Sequence, residues 1–383
     1  MTVAAGRRRV IAVAAVLAAV AVLAGIALLG DQGRPSLATS TPPGRAPLVD
    51  PKELVSGGPP PDGIPPLDRP RFQAAGKVDW LVAAEPVAVV ELAGDARAYP
   101  LQILVWHEIV NDTVGGVPVA VTYCPLCNTA VGFHRPVVDG AATSFGTSGK
   151  LYHSNLVMYD RATGSLWPQA LGQAVTGELV GRRLERVATQ IVAWADFRAA
   201  FPAGRVLSRA TGFRRPYGQN PYPLYDRDCG QPLLFDGRPD GRLPAVARVL
   251  GLSVGGRHLA VPYTRLAARA NGGVAAVSLE LAGGPVLVVW RSGTTSALDR
   301  RSIAASRDVG AAAAFSRRVG GRALTFHTVD GKVTDQQTDS SWDPFGRAVA
   351  GPLAGTGLAP VTAMDSFWFD WAAFHPDTGI WGG

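Results

Sequence analysis

Short apolar stretches, rich in β-branched residues and separated by glycine or proline, recur along most of this chain. Residues 87–100 contain two such stretches around a glycine and end at a proline, and residues 246–262 repeat this arrangement. The pattern predicts a β-hairpin in each segment. Residues 194–202 and 368–376 place aromatic residues before a closing proline, which predicts two short helices. We therefore expect an α+β, β-rich fold of mainly antiparallel strands with short helices.

The two halves of the chain share these patterns in the same order. Residues 160–181 contain Thr163–Trp167, and residues 335–355 contain the similar segment Thr338–Trp342, each followed by glycines at matching places. The period is far longer than the repeats of a solenoid, so it predicts two tandem copies of one β unit. The expected organisation is a signal anchor at 1–30, a Pro-rich linker at 31–70, a first β-rich repeat at 71–204, a connector at 205–240 and a second, Cys-less repeat at 241–383.

The N-terminus combines a basic cluster with an apolar run. Arg7–Arg9 precede Val10–Leu29, in which every residue is apolar or glycine, and this is about the length that crosses a bilayer. We expect a retained transmembrane anchor in the cell membrane, single pass, with the bulk of the chain extracytoplasmic. A cleaved signal peptide is the alternative. The proline-dense residues that follow predict an extended tether.

The composition is sufficient for folded hydrophobic cores, and the charge distribution limits the classes of binding partner that we expect. Hydrophobic residues make up 47% of the 383 residues and charged residues 17%, while 45 glycines and 30 prolines disfavour long helices. The formal net charge is +7, but after the N-terminal cluster the arginines are scattered. No basic face with interleaved aromatics is visible, so we expect no nucleic-acid partner. The membrane is the expected partner, and a small-molecule or envelope ligand is left unidentified.

The candidate chemistry centres on Cys124 and Cys127, which are separated by two residues. They follow the apolar stretch 117–123 and precede a second β-prone stretch, 129–133, so we expect them in a turn between strands and not at the start of a helix. Such a Cys-Pro-x-Cys knuckle needs a residue with positive φ after it, a conformation that Asn128 tolerates. The pair suits three roles: metal ligation, redox or catalytic thiol chemistry, and an inert disulfide.

Two histidines are candidates to complete a site with the cysteines. His107 lies in a plausible helical turn before the cysteine strand, and His134 follows the pair on the next strand. In the second half the corresponding segments, 263–269 and 290–294, lack both histidine and cysteine, which favours one shared site and indicates that the turn forms without the cysteines. The candidate metal ligands are Cys124, Cys127, His107 and His134, with Glu108, Asp112, Tyr123 and Asn128 as supporting residues and zinc or copper as the metal.

Other motifs of known chemistry are missing. The chain contains no nucleophile elbow, P-loop or zincin helix, since His107-Glu108 is not followed by a second histidine at the required spacing. Hydrolases built on those motifs are disfavoured, and the pattern leaves enzymatic activity open. The third cysteine, Cys229, is expected to be a free thiol without a role.

Several segments together resemble the family known as domain of unknown function 3179, with similarity from about residue 77 to the C-terminus. They are 107–112, 123–127, 145–149, 159–167 and 220–222. The resemblance implies no established activity. We expect a membrane-tethered extracytoplasmic protein with a cysteine-centred site, with metal binding as the leading role. The alternatives are a thiol–disulfide redox protein and a non-catalytic envelope scaffold with a structural disulfide.

Overall fold

The computed structural model describes residues 37–38, 45–227 and 230–382, and these residues are built mainly from short strands. The expected β-rich architecture with several antiparallel sheets and few short helices is confirmed. The four α-helices are α1 (Leu101–His107), α2 (Trp194–Ala200), α3 (Tyr263–Ala267) and α4 (Trp368–Phe374). Three 3-10 helices, at Pro51–Glu53, Ala75–Lys77 and Ile303–Ala305, complete the helical content of the described residues.

The strands of residues 45–210 are β1 (Val55–Ser56), β2 (Phe72–Ala74), β3 (Pro86–Leu92), β4 (Asp95–Pro100), β5 (Ile109–Val114), β6 (Val117–Cys124), β7 (Thr129–His134), β8 (Val137–Val138), β9 (Ala141–Ala142), β10 (Phe145–Tyr152), β11 (Asn155–Asp160), β12 (Leu166–Pro168), β13 (Arg186–Val187), β14 (Gln190–Ala193) and β15 (Arg205–Leu207). They form sheets in the orders β14-β3-β4-β15-β2, β13-β7-β6-β5 and β1-β10-β11-β12, and the ribbon β8-β9. Only the β4–β15 pair among them is parallel.

The strands of residues 245–382 are β16 (Arg248–Val254), β17 (Arg257–Pro262), β18 (Val274–Leu281), β19 (Gly284–Arg291), β20 (Ala311–Ser316), β21 (Arg318–Val319), β22 (Arg322–Ala323), β23 (Phe326–Val329), β24 (Lys332–Asp335), β25 (Ser341–Trp342), β26 (Ala348–Ala350), β27 (Ala363–Phe367) and β28 (Gly379–Ile380). Their sheets run β27-β16-β17-β28, β18-β19-β20 and β23-β24-β25-β26, with the ribbon β21-β22. The β17–β28 pair is the parallel one.

Each predicted hairpin and proline-stopped helix is present. The hairpins are β3–β4 and β16–β17, each leading directly into a helix, and α2 and α4 occupy the two predicted helical segments. Helix α4 is the more deeply buried, since five of its seven residues, Trp368 to Ala372, are removed from solvent. Burial of large aromatic side chains, worth about 1.5–3 kcal/mol each, holds so short a helix in place.

A matching hydrogen-bond cluster occurs in each half. The carboxylate of Asp160 accepts from the backbone N–H of Thr163 at 2.7 Å and from Trp167 Nε1 at 2.9 Å. Asp335 accepts from Thr338 at 2.8 Å and from Trp342 at 3.1 Å in the same way. In both clusters a threonine hydroxyl also bonds the carboxylate, so the Asp closes the turn and anchors the tryptophan.

Residues 45–70, expected to be part of an extended tether, lie against the first half. Strand β1 pairs with β10, and Leu54 and Leu67 are buried. The backbone N–H of Leu67 donates to the carbonyl of Ile109 at 2.9 Å. This proline-rich segment has too few apolar residues for a core of its own, but it buries those it has on a neighbouring sheet.

The strands of the cysteine hairpin and the corresponding strands of the second half are joined by connections of different length. Strands β6 and β7 join through the tight turn Pro125–Asn128, whereas β19 and β20, which pair Arg291 with Ala311, are joined by residues 292–310. The interpretation that the same tight turn forms at residues 290–294 without cysteines therefore needs correction. A long excursion replaces that turn in the second half.

Both halves contribute to the largest buried cluster. It includes Tyr123 and Phe133 from the cysteine hairpin together with Phe367, Trp368 and Trp371 around α4. The backbone N–H of Phe367 donates to the carbonyl of Cys127 at 2.8 Å, so the C-terminal segment is attached directly to the cysteine turn. Within the described ranges no helix has the length and apolarity to cross a membrane, and the predicted anchor, residues 1–30, lies outside them.

We predict that Asp160→Ala and Asp335→Ala each lower the free energy of unfolding by about 3 kcal/mol or more, because each change leaves buried donors without their charged acceptor. Urea unfolding followed by tryptophan fluorescence measures both. The exposed Asp79, replaced by alanine, is the control and should cost less than about 0.5 kcal/mol. A small effect at Asp160 would contradict its anchoring role.

Candidate functional site: a buried dithiol and its two carboxyl groups

The two cysteines lie at the ends of the turn between β6 and β7, as the sequence predicts. Cys124 is the last residue of β6 and pairs with Thr129, the first residue of β7. Asn128 has the expected positive φ, 53°, and its N–H donates to the carbonyl of Pro125 at 3.3 Å. Tyr123 donates its hydroxyl to the Asn128 side chain at 3.3 Å and so supports the turn. The pair therefore lies on a rigid hairpin and not at a helix N-terminus.

Both thiols are free and are directed toward the same carbonyl oxygen. Cys124 Sγ lies 3.8 Å and Cys127 Sγ 3.4 Å from the oxygen of Ser154, in the turn between β10 and β11. The Cys124 thiol is also close enough to contribute to the raised pKa of Cys127. Cys127 is fully buried, while Cys124 retains 2% exposure. The two sulfurs are thus adjacent, but only Cys124 retains any exposure to solvent.

The carboxyl group of Asp370, in α4, lies beside Cys127 and is fully buried. It accepts hydrogen bonds from Asn155 Nδ2 at 3.0 Å, Ser366 Oγ at 2.8 Å and Thr129 Oγ1 at 3.3 Å, and it lies close enough to the Cys127 thiol for each group to shift the pKa of the other. Burial raises its pKa to about 6, and the hydrogen bonds oppose that rise. Burial, Cys124 and the Asp370 carboxyl raise the pKa of the Cys127 thiol well above its usual value.

Cys124 lines a small cavity on the other side of the turn. The cavity has a volume of about 60 Å³, and its apolar walls include Leu126, Leu156 and Leu233. Its polar lining includes Glu108 and Tyr222, which are each 8% exposed. Burial, Glu108 and Cys124 together raise the pKa of the Tyr222 hydroxyl, which places the three groups close to one another.

Glu108 occupies a strained backbone position at the end of α1. Its φ is 57° and its ψ −32°, a conformation that costs a non-glycine residue on the order of 1–3 kcal/mol. Its N–H donates to Leu104 and its carbonyl accepts from Tyr123, each at 2.7 Å, which fixes this geometry. Burial alone raises the pKa of the carboxyl to about 8, so that the group is mainly protonated at neutral pH.

His107 does not share this cavity. Its Nδ1 is 2.7 Å from the carbonyl oxygen of Pro65, and its Nε2 is 2.6 Å from the hydroxyl of Tyr217. Both ring nitrogens are therefore engaged away from the sulfurs. Burial, together with the nearby Arg215 charge, lowers the pKa of the ring to about 4, against the opposing effect of the bond to Pro65.

The remaining predicted residues lie apart from the cysteines. His134 ends β7 opposite Val119, five residues along the strand from Thr129, which corresponds to roughly 17 Å. Asp112 accepts from Arg97 at 2.6 Å and from the Tyr99 hydroxyl at 2.6 Å, in a buried ion pair of the first half. The structure thus brings Glu108, Tyr123 and Asn128 to the cysteine turn, but not His107, His134 or Asp112.

In the part of the chain that the structure describes, the set of ligands for the expected metal site is incomplete. No group of three or more His, Cys, Asp or Glu side chains there is arranged to hold a metal ion. Zinc normally needs four donors, of which this turn offers two thiols.

Sequence reasoning missed Asp370, Tyr222 and Ser154, which come from three distant parts of the chain. The sequence did contain a signal for Asp370, because the two corresponding helical segments, 194–202 and 368–376, each have an Asp in their third position. The first of these, Asp196, lies 3.7 Å from Arg291, at the end of β19. Each helix therefore aims its aspartate at the end of a strand in the opposite half.

Fold and site together define a β-rich protein with a buried dithiol flanked by two carboxyl groups. The model of a family described as protein of unknown function (DUF3179) matches residues 61–378, and the chain belongs to that family. The match begins before residue 77 and includes the packed segment 61–70. No curated protein and no solved structure matches the chain.

We predict that Glu108→Gln removes a pH dependence of stability. The folded-state pKa of about 8 exceeds the ordinary value of 4.5 for an exposed Glu, so between these values the folded state holds a proton that the unfolded state releases. Stability should therefore fall as pH rises through this window, by up to about 1.4 kcal/mol per pH unit from this group. Urea unfolding at several pH values measures the slope.

The matched control is Glu91→Gln, which removes an exposed carboxylate from β3. The free energy of unfolding of this variant should depend on pH with the same slope as that of the wild-type protein. An equal slope in wild type and Glu108→Gln would show that Glu108 is not held protonated.

Proposed function

We propose that this protein is a thiol–disulfide redox protein in which Cys124 and Cys127 cycle between dithiol and disulfide. One observation carries the proposal: the fully buried Cys127 thiol is a close neighbour of both the Cys124 thiol and the Asp370 carboxyl, and the Thr129 hydroxyl contacts both Asp370 and the Cys127 carbonyl. A resolving thiol with a raised pKa needs a base to accept its proton. Asp370, with a pKa of about 6, is mainly ionised at neutral pH and meets that need.

The unequal access of the two sulfurs assigns their roles. Cys124 lines the cavity, so its thiolate attacks a disulfide and expels one thiolate, forming a mixed disulfide. Cys127 then passes its proton to Asp370, attacks the Cys124 sulfur and releases the second thiolate. The Cys124 proton goes to the first expelled thiolate, and Asp370 passes the Cys127 proton to the second. The products are the Cys124–Cys127 disulfide and two reduced thiols, so electrons and protons balance.

The surroundings of the two cysteines favour redox states of the pair that carry no charge. Glu108, whose pKa is raised to about 8, marks the space beside Cys124 as unfavourable for negative charge, and an ionised Asp370 disfavours a second negative charge at Cys127. A dithiol and a disulfide are both uncharged, whereas metal ligation requires two thiolates. The environment therefore suits redox cycling better than a permanent thiolate pair.

Metal binding is the second candidate, and copper(I) is its favoured form. Soft thiolate ligands select copper(I), and the two sulfurs are already adjacent and directed to one side of the turn. Zinc would have to recruit further donors by rearrangement. The redox experiment below includes a metal measurement for this reason.

We also propose that the protein works outside the cytoplasm, tethered by residues 1–30. The support is the basic cluster Arg7–Arg9 before the apolar run Val10–Leu29. An oxidising compartment is where a cysteine pair forms disulfides readily. The first half, residues 71–204, would then face the cell envelope together with the second.

The finer architecture is proposed to be two tandem copies, 71–204 and 241–383, joined by the connector 205–240. The sheet orders β14-β3-β4-β15 and β27-β16-β17-β28 support this, as each contains a hairpin and ends with a parallel strand. The equal geometry of the Asp160 and Asp335 clusters adds support. Equal costs of the two alanine substitutions would strengthen the proposal, and clearly unequal costs would weaken it.

The redox role is tested with the full chain carrying Cys229→Ser, so that Cys124 and Cys127 are the only cysteines. When this protein is equilibrated with mixtures of reduced and oxidised dithiothreitol, we predict one reversible two-electron transition. Alkylation and mass spectrometry count the free thiols. Either Cys124→Ser or Cys127→Ser should abolish the transition. A disulfide that no dithiol reduces in the folded protein would favour the scaffold alternative, and stoichiometric metal that both variants lose would favour ligation.

The role of Asp370 is tested in the same assay. Asp370→Asn should slow closure of the disulfide by roughly 100-fold or more at neutral pH, because the amide cannot accept the Cys127 proton. Asp365→Asn is the matched control, since Asp365 is also buried with a pKa of about 6 but bonds Tyr263 instead of a cysteine. Equal rates in the two variants would remove Asp370 from the mechanism.

For the location, we predict that a reporter fused after residue 70 is active only in an extracytoplasmic assay. The basic residues before the apolar run should retain the N-terminus in the cytoplasm. Replacing Arg7, Arg8 and Arg9 by glutamate is the control and should reduce correct orientation. Cytoplasmic reporter activity in the unaltered chain would contradict the proposed compartment.

A further inference from the structure

The cavity beside Cys124 contains two polar groups without a protein partner. Among the described residues, neither the Glu108 carboxyl nor the Tyr222 hydroxyl has a hydrogen bond to another side chain or to the backbone. Each residue is more than nine-tenths buried, and each lines the same space as the Cys124 thiol. Neither group belongs to the fully buried, unpartnered polar atoms of the described residues, so both reach the open space of the cavity and are available to bond a ligand there.

The chemistry of the two groups specifies the ligand's polar atom. A protonated carboxylic acid and a phenol are both hydrogen-bond donors, and burial keeps Glu108 protonated up to about pH 8. They would together hold one acceptor oxygen. The remaining walls, including Ile64, Leu126, Leu156 and Leu233, suit a small apolar group beside that oxygen.

We propose that this cavity takes the methylsulfinyl end of a sulfoxide, such as oxidised methionine, and that Cys124 reduces it. The proposal rests on the dithiol cycle proposed above and names its substrate class. A sulfoxide has a basic oxygen on a soft sulfur, with a methyl group beside it. Glu108 and Tyr222 would bind the oxygen, the leucines would contact the methyl group, and the cysteine thiol would face the sulfur.

The reaction balances with the groups present and one external reductant. Glu108 protonates the sulfoxide oxygen, Cys124 attacks the sulfoxide sulfur, and oxygen transfer leaves a sulfide and a Cys124 sulfenic acid, with the thiol proton returning to Glu108. Cys127 then attacks the sulfenic sulfur, forming the disulfide and water. A dithiol reduces that disulfide and becomes a disulfide itself. Each turnover moves two electrons from the dithiol to the sulfoxide.

Acid activation distinguishes this substrate from a peroxide. Attack on a peroxide relies on a preformed thiolate stabilised by nearby positive charge. The ionisable groups lining this cavity are Glu108, Cys124, Tyr222 and Lys150, and the lysine ammonium donates to the carbonyl of Leu54 at 3.4 Å. A neutral acid beside the thiol favours protonating an oxygen over stabilising a thiolate.

The test uses the detergent-solubilised full chain, dithiothreitol and a short peptide containing methionine sulfoxide, with sulfide formation measured by mass spectrometry. We expect turnover by the wild-type protein and none by Cys124→Ser. Without reductant, each protein molecule should form one sulfide and lose two thiols. Cys127→Ser should form one sulfide, stop, and retain a sulfenic acid that dimedone labels.

The acid is tested by Glu108→Gln, which keeps the side-chain size but cannot supply the proton. It should lower kcat for the sulfoxide roughly 100-fold and abolish the fall in rate that we expect for the wild type above about pH 8. Tyr222→Phe should raise KM more than it lowers kcat. Glu85→Gln, another buried acid but one bonded to Gln102, is the control and should retain wild-type turnover.

The possible failures are distinguishable. A wild-type protein that cycles with dithiothreitol but forms no sulfide, or that reduces hydrogen peroxide and not the sulfoxide, would overturn this inference and leave the redox function intact. A protein with no reversible disulfide would overturn both. Equal turnover by wild type and Glu108→Gln would exclude Glu108 as the acid.

Discussion

The attachment of α4 to the cysteine turn is the interaction on which the site depends. Asp370 accepts hydrogen bonds from Thr129 in β7, Asn155 in β11 and Ser366 in its own segment, so one buried carboxyl joins three parts of the chain. Removing one partner of such a network leaves the others buried without bonds, which costs more than a single bond is worth. The position of Cys127 is therefore determined by the second half as much as by its own hairpin.

The turn itself is specified locally. Asn128 adopts the positive φ that closes a four-residue connection, and the paired strands β6 and β7 hold both ends. Glu108 has a less favourable conformation, and the surrounding hydrogen bonds to Leu104 and Tyr123 maintain it. Backbone strain next to an unpartnered acid is the arrangement expected where a side chain is needed for chemistry and not for folding.

Local patterns predicted the elements well, because hairpins and short helices depend on neighbouring residues. The β3–β4 and β16–β17 hairpins, α2, α4 and the φ of Asn128 all follow from residues a few positions apart. The site was predicted only in part. His107 was expected beside the sulfurs, but a helix fixes only its own residues, and tertiary packing directs this ring to Pro65 and Tyr217. Asp370 and Tyr222 reach the cysteines through long-range contacts that spacing does not reveal.

The dependence on Asp370 has a consequence for the order of events during synthesis. Asp370 follows its partner Thr129 by 241 positions, so α4 emerges from the ribosome long after the cysteine hairpin. Until it docks, the carbonyl of Cys127 lacks the N–H of Phe367, and the thiols remain on an uncovered hairpin. The cysteine pair is therefore more accessible before α4 docks than it is in the folded protein. The buried environment of the two thiols is finished only after α4 has docked on the hairpin.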